Sequence, residues 1–390
     1  MTRPSSDILI MGGGIIGLMS ARELLKNGAR VRILERQGTG RESSWAGGGI
    51  LSPLYPWRAP EPINRLFAWS HREYPDWMAQ LKAETGLDPE WQRSGMWVAD
   101  GDAERQAAGN WMDTFGFTGQ WLRAAEARPL EPAVRWQDCN PLYLPDIAQV
   151  RNPRLLAAVR QDVLRLGGII HEHTPVTRLI DDGQRIGGVE ASGAIYNADT
   201  YVLAAGAWSA QLTATDGGEP SLLPIEPVKG QMLIFTARPG TLNRMLLCGG
   251  HYLIPRRDGR ILVGSTLEYT GFDKSTTEAA AGQLVAFARH WLPETTLTLE
   301  KHWAGLRPGS PTGVPYISQH PHRTNLYLNC GHFRNGFVMA PASARLLSEL
   351  IQNRPPFTNA EAYRYGRSEA VHAIPGQPTP HGSETCSHRN

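Results

Sequence analysis

Short apolar runs punctuated by glycines open the chain. Ile8-Leu9-Ile10-Met11 is continuous apolar sequence, the pattern of a strand covered on both faces of a parallel sheet. It leads into Gly12. From Ile15 to Asn27 the apolar residues recur at helical spacing, and the stretch stops at Gly28, a residue suited to the position just past a helix. Val31-Arg32-Ile33-Leu34 predicts a second strand, so the opening reads as a βαβ unit.

The pattern then changes. From about Ala59 to Arg135 the chain is rich in Trp, Pro and charge, with an amphipathic helix expected around Ile63 to Glu84. Near Val150 the apolar α/β pattern returns: Asn152-Pro153 opens a helix, Gly167-Gly168 closes it, and strands follow at Val176–Ile180 and Tyr201–Ala204. Alternating strands between Leu223 and Trp303, such as Gln231–Phe235 and Arg260–Val263, predict an antiparallel sheet with one face covered. A last strand at Leu326–Asn329 turns into a helix from about Phe337 to Gln352, stopped by Pro355-Pro356. The expected fold is α/β, a Rossmann-like nucleotide-binding lobe interleaved with an α+β lobe built on the antiparallel sheet. Residues 1–58, 146–222 and 305–365 make the first lobe, 59–145 and 223–304 the second, and 366–390 a disordered tail.

At 390 residues two coupled lobes are a sensible size. A net charge of +2 gives no sign of a nucleic-acid or membrane-surface partner, and no apolar run reaches the roughly 18 residues of a membrane span. The four cysteines lie far apart without metal-type spacing; they form no disulfide framework, and a reducing cytoplasm is the expected compartment.

Gly12-Gly13-Gly14-Ile15-Ile16-Gly17 fits G-x-G-x-x-G between a buried strand and a helix start. Gly12 permits the tight turn, Gly14 lets the backbone approach a pyrophosphate, and Gly17 lets helix and strand pack closely. Glu35, with Arg36 beside it, closes the second strand, where a carboxylate would accept from the adenosine ribose hydroxyls. The fingerprint alone does not separate NAD from FAD.

Three features favour FAD. Ser43, Ser44, Ala46, Gly47, Gly48 and Gly49 follow the second strand, small enough for the chain to run under a flavin. Gly206 follows a late buried strand and offers another close backbone approach. Gly331-His332-Phe333-Arg334-Asn335-Gly336 then leads through Phe337 into the last helix, whose positive end would face the flavin pyrimidine.

On these motifs, together with Tyr252-Leu253-Ile254-Pro255-Arg256 and Gly305-Leu306-Arg307-Pro308, the chain resembles the D-amino-acid oxidase superfamily to about residue 365, and within it the glycine oxidases linked to thiamin synthesis. The resemblance implies non-covalent FAD, a small amino-acid or amine substrate, molecular oxygen and a homotetramer. It implies oxidation of glycine, sarcosine or a short D-amino acid to an oxo acid, ammonia and hydrogen peroxide by hydride transfer to flavin N5. An arginine suits a desolvated substrate carboxylate because its planar fork binds both oxygens. The resemblance gives that task to Arg307, in a Gly-Leu-Arg-Pro turn, and to the hydroxyl of Tyr252. Arg334 is placed near the substrate or flavin edge, or supports its loop. His332 is a flavin-loop residue, Val176 offers its backbone to the adenine or is core, and Leu267 is an apolar wall. His251 should point to the other face of its strand. No general base is required. The alternatives are a dehydrogenase passing electrons to a quinone or partner, and a non-catalytic FAD-binding subunit.

Overall fold

A computed structural model describes residues 7–137, 139–213 and 223–367. The expected tail lies outside the described residues from 368 onward.

Six strands form one sheet, in the order Tyr316–Gln319, Leu326–Cys330, Thr200–Leu203, Asp7–Met11, Arg30–Leu34, Ile169–His171. All neighbours are parallel except the edge strand Tyr316–Gln319. Leu9, Ile10, Val202 and Leu203 at its centre are buried, which is why these strands read as unbroken apolar runs. Helix Ile15–Lys26 packs against the last helix, Gly336–Ile351, and the long helix Glu61–Thr85 packs on that same helix. The Tyr74 hydroxyl, on the long helix, donates to the Phe337 carbonyl. A left-handed Gly86 (φ 71°) ends the long helix.

The second sheet has eight strands. Glu226–Thr236, Met245–Cys248, His251–Pro255, Arg260–Gly264 and Thr298–Gly309 come from the later segment; Met96–Val98, Gln120–Trp121 and Leu142–Leu144 join from the Trp-rich one. The sequence pattern predicts one covered face, and both are covered. Met232, Tyr252, Ile254 and Leu262 pack toward the long helix and the first lobe. Leu233, Leu253, Ile261 and Val263 pack with Leu284 and Ala288 of helix Glu278–Trp291. Neighbouring residues such as Leu253 and Ile254 are both apolar because each faces a different core.

A second difference concerns Gly305-Leu306-Arg307-Pro308. The segment is not a turn; it lies inside strand Thr298–Gly309, with Val228 opposite Arg307 and Pro227 opposite Pro308. This strand is at the sheet edge, where a residue without an amide hydrogen is tolerated. Strand placement holds the Arg307 backbone in a ladder instead of a mobile loop. A small third sheet, Val176–Asp181, Ile186–Ala191 and Ala194–Tyr196, completes the described fold.

Candidate functional site

A cavity of roughly 680 Å³ lies beside the carboxyl ends of the parallel strands and reaches the second sheet. Carboxyl ends of such strands are where open α/β sheets bind ligands.

One end is built mostly from backbone. Gly12 takes φ 111°, and a Cβ there would sit 2.4 Å from the Ala204 carbonyl oxygen. A Cβ on Gly17 would lie 1.9 Å from the Gly12 carbonyl oxygen, so glycine is required for helix and turn to touch. Gly17 therefore acts by packing and does not line the cavity, whereas Gly12, Gly14, Ile15 and Ile16 do. The Glu35 carboxylate accepts from the Gly13 amide (2.7 Å) and the Gln37 amide (2.9 Å). Burial raises its pKa against those two amides. The two bonds fix the carboxylate at the cavity wall, and its remaining lone pairs can accept further donors. Arg36 stacks on Trp208 at 3.7 Å and pairs with Glu42 at 2.9 Å. Val176 and Gly206 line this cavity as well.

The middle is a run of small residues. The Ser44 hydroxyl accepts from the Ile15 amide (3.0 Å), tying the short helix Ser43–Ala46 to the first helix. Ala46, Gly47, Gly48 and Gly49 follow along the wall. A Cβ on Gly48 would come within 2.7 Å of Ile254, and one on Gly49 within 2.2 Å of the Val150 carbonyl oxygen. The buried Arg256 guanidinium holds this run by donating to the Gly48 carbonyl (2.7 Å) and the Val150 carbonyl (2.9 Å). Opposite, His332, Phe333, Arg334, Asn335, Gly336 and Phe337 bring the N-terminus of the last helix to the cavity. His332 shares a hydrogen with the Ser343 hydroxyl (2.9 Å), and burial pulls its pKa to about 3, so the ring is neutral. The glycine cradle, the fixed carboxylate and the two helix ends fit a dinucleotide with a planar group beyond it.

The far end is made of side chains from the antiparallel sheet. Tyr252, Arg307 and Arg334 all line it, with Leu267 and Met232 as apolar wall. Arg307 donates to the carbonyls of Lys229 and Thr266 (both 3.2 Å) and to the Ser265 hydroxyl (2.7 Å). Burial and the neighbouring Arg334 lower its pKa to about 10, and it remains charged at neutral pH. A Cβ on Gly230 would meet this guanidinium at 2.1 Å, and one on Gly264 would meet the Tyr252 ring at 2.8 Å. Both side chains therefore depend on a glycine in the adjoining strand. The Tyr252 hydroxyl reaches the Met232 sulfur at 3.8 Å and also interacts with the Arg307 guanidinium. Among the described residues, neither Arg307 nor Arg334 is in an ion pair. The acidic residues lining the cavity are Glu35 and Glu42, both at the opposite end.

His251 lies on the other side of its strand, against Phe287 and Gln283. Cys330 lines the cavity, and burial pushes its thiol up to about 12. Residues that sequence reasoning missed are Arg256, Ser265, Tyr55, Arg58 and the Gly249-Gly250 turn. Arg256 stands inside a quoted motif, but no local spacing marks the other four. Among the described residues no cluster offers a metal site, and no helix is long and apolar enough to cross a membrane.

A cradle of glycine backbone opening onto a cationic pocket defines a dinucleotide-dependent oxidoreductase, and the family model for FAD dependent oxidoreductases matches residues 7–350. The chain belongs to that family, and FAD is its cofactor. It is 44% identical over 361 residues to a glycine oxidase of Pseudomonas aeruginosa, covering 92% of this chain and 98% of that protein. A glycine oxidase of Pseudomonas putida is 42% identical over 372 residues, with 92% and 98% covered. The crystal structure of glycine oxidase from Geobacillus kaustophilus superimposes with a TM-score of 0.86 at 27% identity, covering 94% of this chain and 99% of that one.

Proposed function

We propose that this chain carries out the FAD-dependent oxidative deamination of glycine and closely similar small amino acids, consuming oxygen and water and releasing an oxo acid, hydrogen peroxide and ammonia, or a primary amine where the substrate nitrogen is alkylated as in sarcosine. One observation carries the reading: among the described residues, two guanidinium groups and a phenol line one end of the cavity, and neither guanidinium is in an ion pair. A substrate carboxylate supplies the missing charge.

In this reading Gly12, Gly14, Ile15, Ile16, Glu35 and Arg36 hold the adenosine diphosphate half of FAD, with Gly17 letting turn and helix pack and the Val176 backbone at the adenine. Ser43–Gly49, Gly206 and His332–Phe337 hold the flavin half. The 1–58, 146–222 and 310–365 segments act as the cofactor lobe, and 59–145 with 223–309 as the substrate lobe, because residues 305–309 lie in strand Thr298–Gly309 of the second sheet. Bound FAD supplies a two-electron acceptor for the hydride that leaves the substrate α-carbon. The protein binds and orients: Arg307 grips the carboxylate, the Tyr252 hydroxyl donates to it, and Arg334 adds positive charge. Met232 and Leu267 keep water off the α-carbon. No residue at this end serves as a base; His332 is neutral and already bonded to Ser343. Non-covalent FAD is favoured, because burial keeps the cavity-lining Cys330 thiol protonated and a poor nucleophile.

The names of the relatives at 44% and 42% identity favour an oxidase over a dehydrogenase, and an inert FAD subunit has no use for a carboxylate site. The test is peroxide release from glycine in air by the purified protein. Arg307→Ala should raise KM for glycine strongly while FAD stays bound; unchanged kinetics would remove Arg307 from the site. Cytoplasmic location and a homotetramer complete the proposal, the latter checked by light scattering on the purified protein.

A further inference from the structure

Tyr55 lines the cavity and is held from several sides. Its residue is 8% exposed. The hydroxyl donates to the Asp100 carboxylate (2.8 and 2.9 Å to its two oxygens) and accepts from the Gly250 amide (3.2 Å). Asp100 also accepts from the Gly249 amide (2.9 Å). The ring is held on its face by the Arg58 guanidinium at 3.7 Å, itself fixed by Glu104 at 2.8 Å, and on its edge by Trp57 at 5.8 Å.

These contacts join two parts of the site. Tyr55 ends the stretch that begins with the Gly47–Gly49 run, and Gly249-Gly250 is the turn leading into Tyr252. Both glycines are left-handed (φ 56° and 77°), and a Cβ on either would meet nothing within 4 Å. This turn is bare backbone facing open space, and it is tied to Tyr55, whose ring lines the cavity. Tyr55 and Arg334 line the same cavity, and the Gly250 amide that donates to the Tyr55 hydroxyl lies two residues before Tyr252.

We propose that Tyr55 is a specificity-determining residue, its ring locked by Asp100, Gly250 and Arg58 so that the site accepts glycine and excludes amino acids with larger α-substituents. The inference rests on the glycine-oxidising reading above. A rigid wall discriminates by volume: each extra methylene that does not fit costs roughly 10- to 200-fold in kcat/KM. Truncating the ring should return that factor to longer substrates.

The experiment compares kcat/KM for glycine, D-alanine and D-2-aminobutyrate in the holoenzyme and in Tyr55→Ala, Tyr55→Leu and Tyr55→Phe, with flavin content measured for each. Tyr55→Ala is expected to raise the D-2-aminobutyrate to glycine ratio at least about tenfold, with Tyr55→Leu between it and wild type. Tyr55→Phe keeps the ring volume and should keep the ratio, while KM rises for all substrates as the bonds to Asp100 and Gly250 are lost. Should Tyr55→Ala fail to fold, Tyr55→Leu decides on the same ratio. An unmoved ratio in folded, yellow Tyr55→Ala and Tyr55→Leu overturns the proposal, as does a change confined to FAD affinity, which would make the ring a cofactor contact. Wild-type protein that is yellow but inert toward glycine sinks the functional reading instead, so the two failures are distinguishable.

Discussion

The two ends of the cavity are built by opposite means. At the cofactor end the groups are backbone amides and carbonyls, set by glycines within one βαβ unit. At the proposed substrate end they are side chains, with Tyr252, Arg307 and Arg334 brought together from distant stretches of chain by sheet pairing and the loop before the last helix. The first is a shape that glycine alone permits. The second is a charge distribution that long-range packing holds open. Damage at the first end should therefore abolish cofactor binding, and damage at the second should leave a yellow protein that handles its substrate poorly.

The largest effect expected is from Gly17→Val. Its Cβ would overlap the Gly12 carbonyl oxygen at 1.9 Å, so the purified variant should carry no flavin absorbance and melt earlier. A yellow Gly17→Val protein with normal stability would break the contrast at its firmest point. Next, Arg307→Ala should lower kcat/KM for glycine by about 10²–10³-fold, the order expected for truncating one side of a buried charge pair, with the visible spectrum unchanged. Gly230→Ala tests the same group without touching it. Its new methyl displaces the guanidinium, and KM for glycine should rise by roughly 10–100-fold, again with flavin retained. The smallest effect is Glu35→Gln, which preserves shape and removes charge. FAD affinity should weaken by about tenfold without change in the glycine KM of the reconstituted enzyme.

The same contrast governs what the sequence discloses. Gly12, Gly14, Gly17 and Glu35 are readable because turn, helix start and strand end follow one another within a short span, and each imposes its own residue type. Arg307 is harder. Gly305 to Pro308 has the composition of a turn and lies in an edge strand opposite Glu226–Thr236, a pairing no local pattern reveals. Its candidacy comes from family resemblance. The requirement for Gly230 and Gly264 is visible only once strands are in register, because their missing side chains make room for residues elsewhere in the chain. Tyr55 and Asp100, 45 positions apart, meet only in the folded molecule. The second covered face of the antiparallel sheet escapes for a related reason. Alternation marks a half-covered strand, whereas here both parities are apolar and each faces a separate core.

The central claim is that one cavity joins a flavin cradle to a cationic end built for a small amino acid. Anaerobic titration of the purified yellow protein with glycine, followed by the visible flavin band, tests it most directly. The account predicts that the wild-type band bleaches, that Arg307→Ala bleaches only at far higher glycine, and that admitting air restores the colour with release of peroxide. A wild-type band left intact by glycine, sarcosine and D-alanine, or a titration identical in Arg307→Ala, would contradict it.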